Sequence, residues 1–321
     1  MKQLVSKGAD LMRQGNDLLL DFRIAVMEQK LGLYGIVVRQ HGEIIAEHRW
    51  RADDEVQLYS ASKTFTAIAA GIAMNDGYFK LSDKVVDFFP ELVPEHPDEK
   101  LLKMTVQDLL AMGTGHAYCP LVNVLNQGLE PTNWAKVFLD TPLAYEPGTH
   151  FEYNNGATYM ISAIIQRKTA MTTRDFLMPR IFTPLHIFNP QWEVCPLGVT
   201  KGFMGLFLTT EKLSRFGQLL LNRGQWEGKQ LIPAGYIDEA TKVQIDNSGF
   251  NSGWATADNH LGYGYQIWMN SYPHSYRLDG LYGQYAICFP EKDAVVTITA
   301  HQEGNQSDIL KVVWDTLAER L

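Results

Sequence analysis

"LYSASKTFTAIAAGIAMNDGYFKLSD", residues 58–83, puts a lysine where a helix least wants one. The apolar spacing from Ser60 onward predicts a long helix, and Lys63 falls in its first turn. The amino end of a helix is its positive end, so a cation there is mildly unfavourable. Lys63 also lies three residues after Ser60, so the two side chains share one helical face. A serine hydroxyl is a weak nucleophile until a base takes its proton. Burial and the positive helix end both disfavour the ammonium form of lysine, which makes Lys63 a candidate base. The Ser60 backbone N–H, at the same helix end, could receive a developing oxyanion. Taken alone, the pair reads rather as a capping serine and a solvated lysine, because an S-x-x-K match is expected by chance about once in a chain of this length.

The whole chain narrows the setting. Its 321 residues suit one large domain or two interlocked ones, with 45% hydrophobic and 20% charged residues, as in ordinary globular proteins. A net charge of -8 argues against a nucleic-acid partner. The three cysteines, Cys119, Cys195 and Cys288, are far apart and odd in number, which fits a reducing compartment. No Cys/His spacing or HExxH signals a metal, and no cofactor is expected. Residues 1–30 alternate apolar and charged positions as an amphipathic helix does, unlike a signal peptide or membrane span. A cytoplasmic protein with no membrane partner is therefore expected.

The chain carries β character at both ends. Residues 35–39 and 43–48 flank a His-Gly turn, a hairpin signal. "YGYQIWMN", "QYAICFP" and "AVVTITA" follow near the C-terminus, the last two joined by a plausible turn at Pro290-Glu291-Lys292-Asp293. Between them the pattern is mainly helical. The simplest closure is an α+β molecule. One lobe, residues 1–80 and 260–321, holds an antiparallel sheet covered by terminal helices. The other, 81–259, is all-helical, and a ligand cleft is expected between the two.

A second candidate cluster is Tyr153-Asn154-Asn155, between a Pro-Gly turn and an apolar helix. A phenol there could exchange protons with Lys63, and the Asn155 amide could hold both Lys63 and a substrate. Together these residues resemble the serine β-lactamase and penicillin-binding-protein superfamily, in its branch of class C-like hydrolases and esterases. That family shows S-x-x-K, then Y-x-N, then a K-T-G or H-x-G strand. Ser60-Ala61-Ser62-Lys63 matches the first and Tyr153-Asn154-Asn155 the second. "MTVQDLLAMGTGH" and "GLFLTTEKLSRFGQLLLNRGQWEGKQLIP" also read like family segments, in the right order. The resemblance implies a β-lactamase/transpeptidase-like fold and a serine hydrolase that cleaves an ester or amide through acyl-Ser60, with Lys63 and Tyr153 moving the proton. The implied partner is a small ester, amide or peptide. Two readings stand beside it: a β-lactamase or D,D-peptidase, and a catalytically silent homologue that binds ligands or assembles.

The third motif departs. Aligned by the G-x-x-G-Q that ends at Gln284, Leu278-Asp279-Gly280 takes the K-T-G place. Gly280 is consistent with close backbone approach, and the Leu281 N–H would be the second oxyanion donor. Leu278 replaces the basic residue, and Asp279 adds a negative charge preceded by Arg277. Asp279 reads equally as a substrate contact or as a partner of Arg277. Either way it would repel a β-lactam carboxylate. His116, in "GTGHAYCP", is placed on the cleft lip by the resemblance, with Arg277, Asp279 and Gly280 as the other substrate contacts. The tryptophans, among them Trp192, Trp254 and Trp268, read as core.

Overall fold

The computed structural model describes residues 17–122 and 132–321. The first part of the expected N-terminal helix lies outside them, and its last turns are α1 (Leu20–Glu28). A six-stranded antiparallel sheet forms the framework. Its strands are β1 (Leu33–Gln40), β2 (Glu43–Arg49), β3 (Trp268–Met269), β4 (Tyr276–Gly280), β5 (Gln284–Phe289) and β6 (Ala294–Ala300). The order β2-β1-β6-β5-β4-β3 pairs the two ends of the chain, with Ile36 opposite Ile298 and Val38 opposite Val296. The first hairpin turns at His41 and Gly42, both at positive φ (51° and 82°), the conformation that matches the twist of a two-residue loop. The last turns through Pro290–Lys292 and a left-handed Asp293.

Side-chain alternation sorts the sheet into two cores. Tyr285, Ile287 and Phe289 join Ile36, Val296 and Ile298 beneath α1 and α5 (Ser307–Thr316), which supply Phe22, Val26, Ile309 and Val313. Ala286, Cys288 and Val295 face the other way, toward Leu213 and Phe216 of α4 (Thr210–Leu221). Both faces being covered explains why β5 and β6 are mostly apolar and buried at every position. Burial of each large aliphatic side chain there contributes roughly 1.5–3 kcal/mol relative to exposure.

The helix that carries Lys63 is α2 (Ser62–Asn75), buried at every position from Ser62 to Ala73. It packs on α3 (Asn155–Thr169), itself buried from Gly156 to Ile165. Gln266 stitches these layers together. Its side chain donates to the carbonyls of Leu109 and Leu110 and accepts from Thr158, and its own carbonyl accepts from Thr64. Gln266 sits at φ 59°, which breaks the extended run expected over residues 263–270 and leaves only Trp268–Met269 as strand. Among the described residues no helix is long and apolar enough to cross a membrane, and no group of His, Cys, Asp and Glu could hold a metal ion.

Candidate active site

Ser60 lies in a single 3-10 turn, Tyr59–Ala61, which runs into α2 at Ser62. The turn is entered through Tyr59 at φ 47°, a strained setting for a ring-bearing residue. The helix therefore starts later than the sequence suggests, and Lys63 is its second residue. No side chain caps it and no acid stands in its first turn. Ser60 is thus no helix cap, and its hydroxyl is left to Lys63.

Lys63 is 1% exposed. Its Nζ donates to Ser60 Oγ at 3.0 Å and to the Phe203 carbonyl at 3.2 Å. Burial pushes its ammonium down to about 7, against the opposing pull of Cys119 and Asp279. The same Nζ lies 4.7 Å from the ring centre of Tyr153. Burial drives the Tyr153 phenol far above its ordinary value, and the Ser60 hydroxyl acts in the opposite sense. Asn154 caps α3 by accepting from Gly156 N at 2.8 Å, which fixes Tyr153 just ahead of the helix. Asn155 is the first helical residue, and its buried Oδ1 has no hydrogen-bond partner among the described residues. Lys63 spends its hydrogen bonds on Ser60 and Phe203, so Asn155 does not hold it here.

The third strand brings its own geometry. A Cβ on Gly280 would lie 2.2 Å from the Leu58 carbonyl oxygen and 3.2 Å from Ala61 N. The glycine is required because the Ser60 turn packs against the end of β4, a closer partner than any substrate. Leu281, half-exposed, follows at the cleft. Leu278 is buried in the core on one side of the strand, and Arg277 and Asp279 project from the other. Arg277 is 1% exposed and donates through Nε to Asp279 (2.9 Å). Its remaining nitrogens reach the carbonyls of Met269 and Asp258 and the Asn270 side chain. Gln306 donates to the other Asp279 oxygen at 3.2 Å. Burial raises the Asp279 pKa, and Arg277 opposes it.

These groups edge a cleft of about 590 Å³ lined by Ser60, Tyr153, Trp254, Trp268, Asp279 and Leu281, with Thr256, Asn259 and Gln306 also in its wall. Arg277 stands behind Asp279 rather than in the wall. His116 is fully buried away from it, bonded to Thr114 Oγ1 (2.9 Å) and the Phe138 carbonyl (3.2 Å), and burial pushes it down to about 4. Trp192 is core, as expected, but Trp254 is 53% exposed, and Trp268 is buried yet lines the cleft. The signal for Trp254 was its setting: "NSGFNSGWATADN" is rich in Gly, Ser and Asn, the composition of a surface loop.

The Beta-lactamase family model matches residues 10–317. A lovastatin esterase from Penicillium rubens is 28% identical over 160 residues, which cover 44% of this chain and 40% of the esterase. The match thus spans well under half of that relative's length. The 6-aminohexanoate-dimer hydrolase of Paenarthrobacter ureafaciens is 21% identical over 318 residues, 90% of this chain and 80% of that enzyme. Among solved structures, the octameric penicillin-binding protein homologue from Pyrococcus abyssi superposes with a TM-score of 0.73 at 18% identity, covering 95% of this chain and 77% of that one. That likeness shows the shared β-lactamase/transpeptidase-like fold.

Proposed function

The chain belongs to the Beta-lactamase family, and from that membership we propose that it is a serine hydrolase cleaving an ester or amide through an acyl-Ser60 intermediate. The observation that carries this reading is the 3.0 Å contact between Ser60 Oγ and a buried Lys63 whose ammonium is pushed down to about 7. In its neutral form the amine accepts the Ser60 proton as Oγ attacks the substrate carbonyl. The backbone N–H groups of Ser60 and Leu281 receive the oxyanion. Tyr153, held protonated by burial, delivers a proton to the leaving group and recovers one from Lys63. Asn155 offers its unpaired Oδ1 to an N–H or O–H of the substrate. Water then releases the acyl group. The relatives named for ester and amide cleavage support this substrate class.

Asp279 disfavours the β-lactamase and D,D-peptidase readings. A substrate carboxylate at about 4 Å from Asp279 meets roughly 4 kcal/mol of repulsion at an effective dielectric of about 20, before Arg277 and water reduce it. A silent binding protein would have no need of the Ser60, Lys63 and Tyr153 arrangement. The unpaired, buried Cys119, Cys195 and Cys288 support a cytoplasmic site of action. The test is intact mass after exposure to a fluorophosphonate. One equivalent should add to wild type and none to Ser60→Ala. Equal labelling of both proteins would remove Ser60 from the mechanism.

A further inference from the structure

The cleft wall carries a preference that the acyl-Ser60 chemistry does not explain. Resting on that reading of the site, we infer that the substrate bears a cationic alkylammonium group, seated between the Asp279 carboxylate and the aromatic wall of Trp254 and Trp268.

Charge is the first observation. Asp279 is the carboxylate among the described residues lining the cleft, and no lysine, arginine or histidine lines it. Its partner Arg277 does not cancel it toward the substrate. Arg277 is 1% exposed and lies behind the carboxylate, pinned by the carbonyls of Met269 and Asp258 and by Asn270 Oδ1. Those are the negative ends of dipoles, and they offset the guanidinium where it sits. The ion pair therefore presents its acidic end to the cleft. A carboxylate has about four acceptor positions. Arg277 Nε and Gln306 Nε2 occupy one on each oxygen, which leaves acceptor capacity for an incoming cation.

The second observation is independent of charge. The rings of Tyr153, Trp254 and Trp268 form a continuous wall, with centroids 5.4 Å apart for Tyr153–Trp254 and for Tyr153–Trp268 and 6.3 Å for Trp254–Trp268. Trp254, 53% exposed, lines the cleft together with Asp279. Aromatic rings beside a carboxylate attract an alkylammonium through its charge and its methylenes together; the Arg277 guanidinium already lies 5.8 Å from the Trp268 ring centre, so the more exposed Trp254 is the main ring for a substrate cation. A neutral acyl chain would use only the rings. An anionic one would be repelled by Asp279.

The test compares nitrophenyl esters of one shape. One acyl chain ends in trimethylammonium, its isostere ends in tert-butyl, and a third ends in carboxylate. The quaternary nitrogen cannot lose its charge, so pH affects only the enzyme. In wild type kcat/KM for the cationic ester should exceed that of the tert-butyl ester by roughly tenfold or more, a preference that desolvated cation sites reach. The ratio should fall toward one in Asp279→Asn and fall severalfold in Trp254→Leu. Reading the ratio within each variant cancels any general loss from disturbing Arg277. Equal kcat/KM for the two isosteres in wild type would overturn the inference while leaving the acyl-Ser60 reading intact. If wild type hydrolyses none of the esters, Ser60→Ala is titrated with the same pair by tryptophan fluorescence. Tighter binding of the cation there would support the ammonium site although the hydrolase reading has failed, and equal affinity would sink it.

Discussion

Lys63 is the residue at which stability and chemistry pull apart. Its folded-state value near 7 lies below the ordinary 10.5, so the native protein prefers the neutral amine. From about pH 7 to 10.5 the unfolded chain holds a proton that the native one has released, and over that window stability rises with pH. Lys63→Met removes the buried amine and the penalty. The variant should be more stable than wild type at pH 7 by about 1 kcal/mol or more, with the gap closing toward pH 10.5. Urea denaturation at both pH values reads this, and a destabilised variant at pH 7 would mean that the contacts to Ser60 and Phe203 outweigh desolvation. Activity should be lost in the same variant, because the base is gone. The wild-type value of kcat/KM is expected to climb through pH 7 and then stay level, since Tyr153 titrates far higher. Asp279 props the lysine up, so Asp279→Asn should shift the rise to lower pH. Lys63→Arg, which cannot deprotonate, should lose on the order of 10²-fold or more at every pH.

Three element ends meet at Ser60: the start of α2, the residues leading into α3, and the end of β4. The spacing of Ser60 to Lys63 and the turn before Tyr153 were legible in the sequence, because both depend on local periodicity and capping. The meeting with β4 was not. Gly280 could be read as a close approach, but periodicity does not say what approaches, and the partner proves to be the Leu58 carbonyl. Trp254 was misread for a related reason, since composition ranks tryptophan as buried while its loop holds it at the cleft. His116 belongs here too: its neighbours Thr114 and Phe138 come from the fold around it, and they satisfy both ring nitrogens inside the protein. The β4 contact makes a sharp prediction. In Gly280→Ala the new methyl meets the Leu58 carbonyl and Ala61 N of the Ser60 turn and the Gln284 Cβ beside it, so strand and turn must separate. Overpacking should cost about 1–3 kcal/mol. A displacement approaching 1 Å at Ser60 should lower kcat/KM on the order of 10²-fold. Wild-type turnover in this variant would show that β4 does not position the serine.

At the scale of the molecule, the apolar runs of β5 and β6 declare strands covered on both faces, and the pairing of the two chain ends follows from closing the sheet. What the sequence does not declare is what covers each face. The apolar stripe of α4 says that it is buried, not that it lies under Ala286 and Val295 while α1 and α5 take the opposite side. The link between the sheet and the helical region is Phe65, two residues beyond Lys63. Its ring stacks on Phe216 of α4 at 3.6 Å between centroids, and lies 6.0 Å from Phe182 and 6.4 Å from Trp192. Because α2 is buried from Ser62 to Ala73 between these layers, they should unfold together. Phe65→Ala opens a cavity at that junction and should cost roughly 3–5 kcal/mol. The expected urea profile is still one transition, seen at the same midpoint by tryptophan fluorescence, by far-UV dichroism and by loss of fluorophosphonate labelling at Ser60. If labelling is lost well before the dichroism signal, the helical region melts apart from the sheet. The active-site helix would then belong to a separately folding unit, and Phe65 would not be the tie between the two.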